Sequence, residues 1–525
     1  MRRLLWTRRI DRRAPSPSSV SLSSVRVSLG GHALAVVSGA LVAAPFLFPA
    51  CHALAWVSLL PLLVALERAR SGREAALFGF SSGFVANFLG FYWLVHTIHV
   101  FGGFALPLAV FFYSCLTLYS ASQFVLFAVG FRRLGPGPLG LAPPLLWTAL
   151  EFLYPNLFPW RLANSQMRVP LLLQVGDLGG PYPLSFVLVW FSSSLLLLGK
   201  RPRRLAPLGA CLGAVGLVLA YGSVRWTQVE RALAASEPLR VALVQGNVSI
   251  EHKRDAAYFE VNVERYRELS RDVQDRVDLL VWPETVAQWW TPADARELAP
   301  NEHPFPDLRT HLVYGGLAYR YVEGRAEPET FNSAFHLGPD GRVLGRYDKH
   351  ILMPFGEYLP GASLFPSLKE LSPNTGDYTP GRGVVLFRLP RTAVGPLICY
   401  EDVVTDIPRE ATRAGAELLL NILNDAWFGD TAGPHEHLAL ALWRSVENRR
   451  YLLRAANTGV TSIVDPFGRV VDQLGTFEEG VLVAEVRPLR LRTLYTRMGD
   501  VFAWSVTAVL VLLLVRNLRQ RRGGG

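Results

Sequence analysis

Long apolar segments dominate the chain before about residue 225, and one more lies near the C-terminal end. Their approximate spans are 32–49, 51–66, 76–97, 104–130, 139–156, 182–199, 205–223 and 498–515. Several reach the roughly 20 residues that a helix needs to cross a bilayer, although the segment at 51–66 is short. Gly and Pro are scattered through these segments, which membrane helices tolerate. The pattern therefore predicts a multi-pass membrane domain of about eight transmembrane helices.

Between residues 240 and 490 the pattern changes to short apolar runs that alternate with amphipathic stretches. Strands are predicted at 239–249, 277–284, 311–319, 393–398 and 417–424, and helices at 255–273, 403–414 and 434–456. Turn signals at 339–341 and 465–468 predict two hairpins. Because strands and helices alternate along the chain, this region is expected to fold as a layered α/β domain.

Basic residues cluster in alternate loops of the membrane part. These clusters are Arg2, Arg3, Arg8, Arg9, Arg12 and Arg13; Arg68, Arg70 and Arg73; Arg132 and Arg133; Lys200, Arg201, Arg203 and Arg204; and Arg516, Arg519, Arg521 and Arg522. The loops between them are poor in Lys and Arg. Since basic loops stay in the cytoplasm, both termini are expected there, and residues 225–495 outside it. The net charge of +10 is then explained by contacts with lipid head groups and by membrane topology rather than by binding of nucleic acid.

These patterns divide the chain into four predicted parts. Residues 1–31 form a basic cytoplasmic arm, 32–223 seven transmembrane helices, 224–495 an extracytoplasmic α/β domain, and 496–525 an eighth transmembrane helix with a basic cytoplasmic tail. An organellar transit peptide is the alternative for the first part, because it is rich in Arg and Ser and nearly free of acids.

Three chemically useful side chains follow predicted strands in the α/β region. Glu284 ends one apolar run, Lys349 follows the strand-like stretch 343–348, and Cys399 follows the run 393–398. A carboxylate, an amine and a thiol at strand ends are the groups needed to activate a nucleophile and stabilise an oxyanion. Taken singly, each residue also has a structural interpretation: a helix start, a surface charge and an inert buried thiol.

The other cysteines offer no alternative chemistry. Cys51, Cys115 and Cys211 lie inside apolar segments, where cysteine is most often a small buried hydrophobe. None of the four cysteines has metal-ligand spacing or an obvious disulfide partner. No metal or cofactor is therefore predicted, and Cys399 is a single thiol in the α/β region.

The strings around these residues resemble a known family. Trp282-Pro283-Glu284, Tyr347-Asp348-Lys349 and Cys399-Tyr400-Glu401 resemble the Glu-Lys-Cys triad of the nitrilase superfamily. The longer strings 347–360, 424–429 and 456–462 resemble apolipoprotein N-acyltransferases, and the similarity covers essentially the whole chain. This resemblance implies eight helices in the bacterial inner membrane. It also implies a nitrilase-like α-β-β-α sandwich between the last two helices, in the periplasm.

The resemblance also implies a ping-pong acyl transfer. Cys399 takes the sn-1 acyl chain of a phospholipid as a thioester, and the α-amine of an N-terminal diacylglyceryl-cysteine on an apolipoprotein then receives it. Glu284 is the expected general base and Lys349 the expected oxyanion stabiliser. The expected supporting residues are Glu357, Tyr400 and Glu401, with Trp427 and Phe428 as candidates for binding substrate. The implied partners are phospholipid, diacylated apolipoprotein and membrane lipids, with no nucleic acid and a monomeric chain.

The sequence departs from the family pattern at two places, at Arg254 and at Ile351, where a second His often follows His350, and it leaves two other functions open. Lys253 is followed by Arg254 where the family commonly has Trp, which puts substrate gating at this loop in question. One alternative function is a membrane-anchored nitrilase-type amidase, in which water resolves the thioester. The other is a transporter or channel with an inert ectodomain, which would need intramembrane charges beyond Glu151.

Overall fold

The computed structural model describes residues 29–203, 205–359, 361, 364–365 and 375–523. It consists of a bundle of apolar helices joined to a two-sheet α/β part. The basic arm predicted at 1–31 lies almost entirely outside the described residues. Pro360, the last residue of the string 347–360, and residues 362–363 and 366–374 also lie outside them.

The first part of the described chain is helical. Its helices are α1 (Leu29–Leu47), α2 (Leu60–Arg68), α3 (Gly72–Gly90), α4 (Leu94–His96), α5 (Leu106–Leu134), α6 (Ala142–Leu153), α7 (Pro170–Leu173), α8 (Gly176–Gly179), α9 (Tyr182–Lys200) and α10 (Ala206–Ala234). A 3-10 helix, Pro49–Trp56, leads towards α2, and a π-helical turn, Thr97–Phe101, continues α4. Among the described residues, six helices are long and apolar enough to cross a membrane. The number rises to seven if Gly72–Gly90 and Leu94–Phe101, which bend by 67°, form one broken span.

The predicted count of about eight is higher because the segment at 139–156 forms only α6. This helix has 12 residues, which gives about 18 Å of rise, whereas a bilayer core is about 30 Å thick. It ends before Tyr154, whose conformation is restricted by the following Pro155. Glu151 in α6 accepts hydrogen bonds from Trp147 Nε1 and the Leu162 backbone N–H, both at 2.7 Å. Its carboxylate therefore fixes the chain that follows α6.

The second part contains thirteen strands among the described residues. They are β1 (Leu239–Gln245), β2 (Leu279–Val281), β3 (Ala287–Pro292), β4 (His311–Arg320), β5 (Glu329–Leu337), β6 (Val343–Asp348), β7 (Phe387–Arg388), β8 (Ala393–Ile398), β9 (Leu418–Leu423), β10 (Leu452–Ala456), β11 (Ser462–Val464), β12 (Val470–Gln473) and β13 (Gly480–Val486). The accompanying helices are α11 (Ile250–Arg254), α12 (Phe259–Arg271), α13 (Asp406–Ala414), α14 (Gly433–Ala441), α15 (Trp443–Asn448), α16 (Leu494–Met498) and α17 (Val501–Gly523).

The strands form two sheets that face each other. The order is β13-β1-β2-β4-β5-β6 in the first sheet, where β3 also pairs with β4, and β12-β11-β10-β9-β8-β7 in the second. Apolar side chains of β1 and β2 meet those of β8, β9 and β10 in one buried core. Helix α12 covers the outer face of the first sheet, and α13, α14 and α15 cover that of the second. The predicted α-β-β-α sandwich is confirmed.

The long helix predicted at 434–456 is wrong. The segment forms α14, α15 and then β10, which pairs in parallel with β9. Helix α15 ends where Arg449 adopts a left-handed φ of 52°. The buried guanidinium of Arg449 donates to Asp177 Oδ2 at 2.8 Å and to the Gln174 carbonyl at 3.0 Å. A fully buried strand and a buried helix have similar apolar patterns, so the sequence did not separate them.

The two parts of the chain are tightly connected. The outer helices of the second sheet share an apolar core with the membrane helices. Asp177 in α8 binds Arg449 at the end of α15 at 2.8 Å, and Asn164 Nδ2 donates to the Ala439 carbonyl at 3.3 Å. These contacts hold the α/β part against one end of the helix bundle.

Candidate active site

Three strand ends from the two sheets converge on one site. Glu284 follows β2, Lys349 follows β6 and Cys399 follows β8. The first two strands belong to one sheet and the third to the other. Lys349 Nζ lies 3.4 Å from Glu284 Oε1, and Glu401 binds the N–H groups of His350, next to Lys349, and of Ile398, next to Cys399, so the structure brings the three predicted residues together.

Lys349 lies between two carboxylates. Its Nζ is 2.8 Å from Glu357 Oε2 and 3.4 Å from Glu284 Oε1, and its side chain is only 2% exposed. Asn332 Nδ2 donates to both acids, at 2.7 Å to Glu284 and 2.8 Å to Glu357. Glu357 Oε2 also accepts the Met353 backbone N–H at 2.8 Å. Glu357 therefore orients Lys349, and Asn332 fixes the spacing of the two acids.

The electrostatics of the site keep the Lys349 amine charged and the Cys399 thiol protonated before the reaction begins. Burial opposes the charge on Lys349, but the Glu357 and Glu284 carboxylates outweigh it and raise the pKa of Lys349 well above its usual value. Burial, followed by the Glu284 carboxylate, raises the pKa of Cys399 well above that of a free thiol, while Lys349 partly opposes the increase. A base must therefore take the thiol proton when Cys399 attacks.

Cys399 occupies a sharp turn at the end of its strand. Its φ of 51° lies in the left-handed region, which is uncommon for residues other than glycine. The turn continues as a 3-10 helix, Cys399–Asp402. Asn421 Nδ2 holds the Cys399 carbonyl at 3.0 Å. The half-buried Cys399 therefore sits at a strained turn between β8 and the 3-10 helix.

Glu401 connects this turn to the segment that carries Lys349. The carboxylate is fully buried and accepts four hydrogen bonds. They come from the Tyr347 hydroxyl at 2.8 Å and from the backbone N–H groups of His350 at 2.7 Å, Ile351 at 3.0 Å and Ile398 at 2.8 Å. These contacts tie the turn at Cys399 to the loop after Lys349, and the supporting role expected of Glu401 in the reaction stays a prediction.

The three predicted aromatic residues contact the membrane part. The Tyr400 hydroxyl donates to the Leu157 carbonyl. The Trp427 ring lies 4.2 Å from that of Phe101, and the Phe428 ring 4.8 Å from that of Trp93. These contacts join the turn after Cys399 and the 425–428 segment to the ends of the membrane helices. A role for these residues in binding substrate stays a prediction.

A buried charge network behind Cys399 was missed by the sequence reasoning. His437 Nε2 and Nδ1 lie 2.9 Å from Asp402 and Asp425, respectively. Arg454 Nε donates to Asp402 at 2.8 Å, and Asn421 Nδ2 joins Asp402 to the Cys399 carbonyl. Burial opposes the charge on His437, but Asp425 and Asp402 outweigh it and raise its pKa to about 9. The only sequence signal was that Asp402 directly follows the recognisable Cys399-Tyr400-Glu401 string.

His437 is expected to make stability depend on pH. Its pKa rises from 6.5 to about 9 on folding, so its ion pairs stabilise fully below pH 6.5 and lose their effect as pH rises through about 9. His437→Gln should therefore lower the melting temperature clearly at about pH 6 and much less above about pH 9. Intrinsic fluorescence of detergent-solubilised protein measures both values. An equal loss at both pH values would show that His437 is not charged.

Both parts of the chain match models of known families. A model described as Carbon-nitrogen hydrolase matches residues 240–495, and one described as Apolipoprotein N-acyltransferase N-terminal domain matches residues 38–194. Among solved structures, an amidase of the nitrilase superfamily from Nesterenkonia AN1 is 20% identical. It covers 50% of this chain and 95% of its own, with a TM-score of 0.36.

Relatives of similar length match nearly the whole chain. The apolipoprotein N-acyltransferase of Geobacter metallireducens is 36% identical over 503 residues, which cover 93% of this chain and 95% of the relative. That of Pseudomonas aeruginosa strain UCBPP-PA14 is 34% identical over 516 residues, which cover 93% and 96%. Together with the apolar helices, these matches make the protein a membrane-bound enzyme. The chain belongs to the apolipoprotein N-acyltransferase family.

Proposed function

We propose that this enzyme transfers the sn-1 acyl chain of a phospholipid to the α-amine of the N-terminal diacylglyceryl-cysteine of an apolipoprotein. The observation that carries the proposal is the grouping of Glu284, Lys349 and Cys399 in an α/β part that packs on apolar helices. The thiol can accept an acyl group, and the helices bring that thiol close to lipid substrates.

In the first half-reaction, Cys399 Sγ attacks the ester carbonyl carbon of the phospholipid. Glu284 accepts the thiol proton, and the Lys349 ammonium stabilises the tetrahedral oxyanion, with a backbone N–H near Tyr400 as a second donor. The bond between the carbonyl carbon and the glycerol oxygen then breaks. Glu284 returns the proton to that oxygen, so that a lysophospholipid leaves and a thioester remains on Cys399.

In the second half-reaction, the α-amine of the lipoprotein attacks the thioester carbonyl. The amine must be neutral to attack, and Glu284 accepts the proton that its nitrogen loses. Lys349 again stabilises the oxyanion. The carbon–sulfur bond breaks, Cys399 regains a proton from Glu284, and the amide of a triacylated lipoprotein is released.

The surroundings of the site support a lipid substrate. Exposed apolar side chains lie on the segment that follows Lys349, including Phe355 at 60% exposure and Leu364 at 77%. Trp427 and Phe428 pack where the α/β part meets the helix ends. We assign these two residues to contacts with the acyl chain, because aromatic rings suit the boundary between lipid and water.

The charge pattern supports an inner-membrane topology with the catalytic domain, residues 224–495, in the periplasm. The basic clusters of the arm at 1–31, of alternate loops within 32–223 and of the tail in 496–525 are then cytoplasmic. Each proposed catalytic group comes from one chain, so a monomer suffices for the reaction. The phospholipid donor and the diacylated lipoprotein acceptor both meet the enzyme at the outer face of this membrane.

A two-substrate assay tests the function. Purified protein is incubated with phospholipid vesicles and a synthetic diacylated lipopeptide, and intact masses of the products are recorded. We expect the lipopeptide to gain one acyl chain and the donor to become lysophospholipid in equal amounts. Free fatty acid without acylated peptide would instead favour the nitrilase-type hydrolase, and an unchanged mixture would contradict both functions.

The position of Glu284 depends on a glycine in the neighbouring strand. A Cβ at Gly315 would lie 2.4 Å from the Thr285 backbone nitrogen and 2.6 Å from Glu284 Cα. Gly315→Ala must therefore displace the base, and a shift of about 1 Å is expected to lower turnover about 100-fold. Gly316→Ala is the matched control, since its Cβ would come no nearer than 3.2 Å to Phe335 and 3.3 Å to the Ala287 carbonyl, a milder crowding in which none of the three nearest atoms belongs to Glu284. Equal activity of the two variants in the lipopeptide assay would contradict this account.

A further inference from the structure

A second lysine lies inside the site, although the sequence pattern does not predict it as a site residue. Lys253 belongs to the short helix α11 and is only 7% exposed. Its Nζ donates to the Glu284 carbonyl at 2.9 Å and to Thr285 Oγ1 at 3.1 Å. The amine therefore binds the main chain of the proposed base rather than its carboxylate.

Lys253 binds a strained corner of the main chain, formed by residues 283–285. Thr285 has a φ of 49°, and a β-branched residue in the left-handed region is a genuine outlier. A second bond holds the same corner: the Gly315 N–H donates to the Pro283 carbonyl at 3.0 Å. Without a donor at Lys253, the carbonyl of Glu284 would be buried with one partner fewer, and the corner could relax.

The segment that carries Lys253 is itself anchored. Asn457 Oδ1 accepts the Val248 N–H at 2.9 Å, and Asn457 Nδ2 donates to the Val248 carbonyl at 2.7 Å. Ser249 caps α11, and Gln288 Nε2 donates to the Lys253 carbonyl at 2.6 Å. This set of bonds fixes the helix so that its lysine points inward.

We propose that Lys253 is a positioning residue of the reaction, which fixes the strained corner at Glu284 through its bonds to the Glu284 carbonyl and Thr285 Oγ1. The role rests on the proposed function of Glu284 as the base. The titratable groups around the amine are Glu284 and Cys399, with Lys349 and Glu357 in the same cluster. Burial lowers the pKa of Lys253 to about 8, while Glu284 and Cys399 oppose the decrease.

The test uses the reactivity of Cys399, which does not require acyl transfer. Wild-type protein and Lys253→Met are alkylated with iodoacetamide across a pH series, and mass spectrometry of the Cys399 peptide separates this thiol from the other three. Because the relaxed corner moves Glu284 away from the thiol, the rate of Cys399 alkylation at about pH 7 should fall about 10-fold. Turnover in the lipopeptide assay should fall about 10-fold to 100-fold, because the base is displaced.

Controls separate this role from a general defect. Arg309→Gln removes a positive charge from a side chain that is 61% exposed and should leave both readouts unchanged. Should Lys253→Met fail to fold, Lys253→Gln, whose side chain is shorter than that of lysine, is held to the same fall in alkylation rate. An unchanged alkylation profile in a folded neutral variant would overturn the proposal. A lowered alkylation rate in a protein whose wild type shows no acyl transfer would leave Lys253 in its role and refute the proposed function instead.

Discussion

Replacing Cys399 with alanine is expected to abolish N-acylation and to leave the protein folded. The proposed reaction has no thioester without this sulfur, and loss of a nucleophile commonly removes about 10⁶-fold of turnover. The side chain is partly exposed and small, so little packing is lost. Turnover is measured as acylated lipopeptide, and folding as the melting temperature of the purified variant.

The matched control is Cys115→Ala. Cys115 is an exposed thiol within α5 and should retain wild-type turnover when replaced. Cys399→Ser serves as a second test, since a hydroxyl of the same size is a far weaker nucleophile at this site. Formation of triacylated peptide by a well-folded Cys399→Ala variant would remove the basis of the proposed mechanism.

Glu284→Gln is expected to lower turnover about 10²-fold to 10⁴-fold, the usual contribution of general acid–base catalysis. The amide keeps the shape of the acid and can still accept the hydrogen bond from Asn332 Nδ2. It cannot take the proton of Cys399, whose raised pKa keeps the thiol protonated. Both half-reactions should slow, because each needs the same base.

Single-turnover experiments resolve the two steps. Release of lysophospholipid without acceptor reports the first step, and transfer from the preformed thioester reports the second. Glu297→Gln, at a side chain that is 75% exposed, is the control for loss of one acid and should behave as wild type. Wild-type release of lysophospholipid by a folded Glu284→Gln variant would assign the base to another group.

The ends of the apolar runs, together with the strings around them, predicted which three side chains the structure brings together. Glu284, Lys349 and Cys399 each follow a short apolar run, and the carboxyl ends of such strands meet at the edges of their sheets. The layered α/β arrangement could likewise be predicted from the alternation of runs and amphipathic stretches. These features depend on local periodicity, which the sequence carries directly.

The residues that support the site could not be predicted, because their roles depend on distant partners. Asn332 lies within the buried strand β5 and meets Glu284 and Glu357 from 48 and 25 residues away. Lys253 was noted only for the Arg254 that follows it, and nothing in its pattern shows that the amine is buried. The same limit applies to Arg449, whose buried bonds to Asp177 end the helix that periodicity alone would continue.

Formation of an acyl thioester on Cys399 is the most direct test of the account. Protein is mixed with phospholipid vesicles in the absence of lipopeptide, quenched in acid and digested, and the peptides are analysed by mass spectrometry. We predict one fatty acyl group on the Cys399 peptide, released by neutral hydroxylamine, with one lysophospholipid formed per protein. Lysophospholipid formation without that adduct, or with the acyl group on another residue, would contradict it.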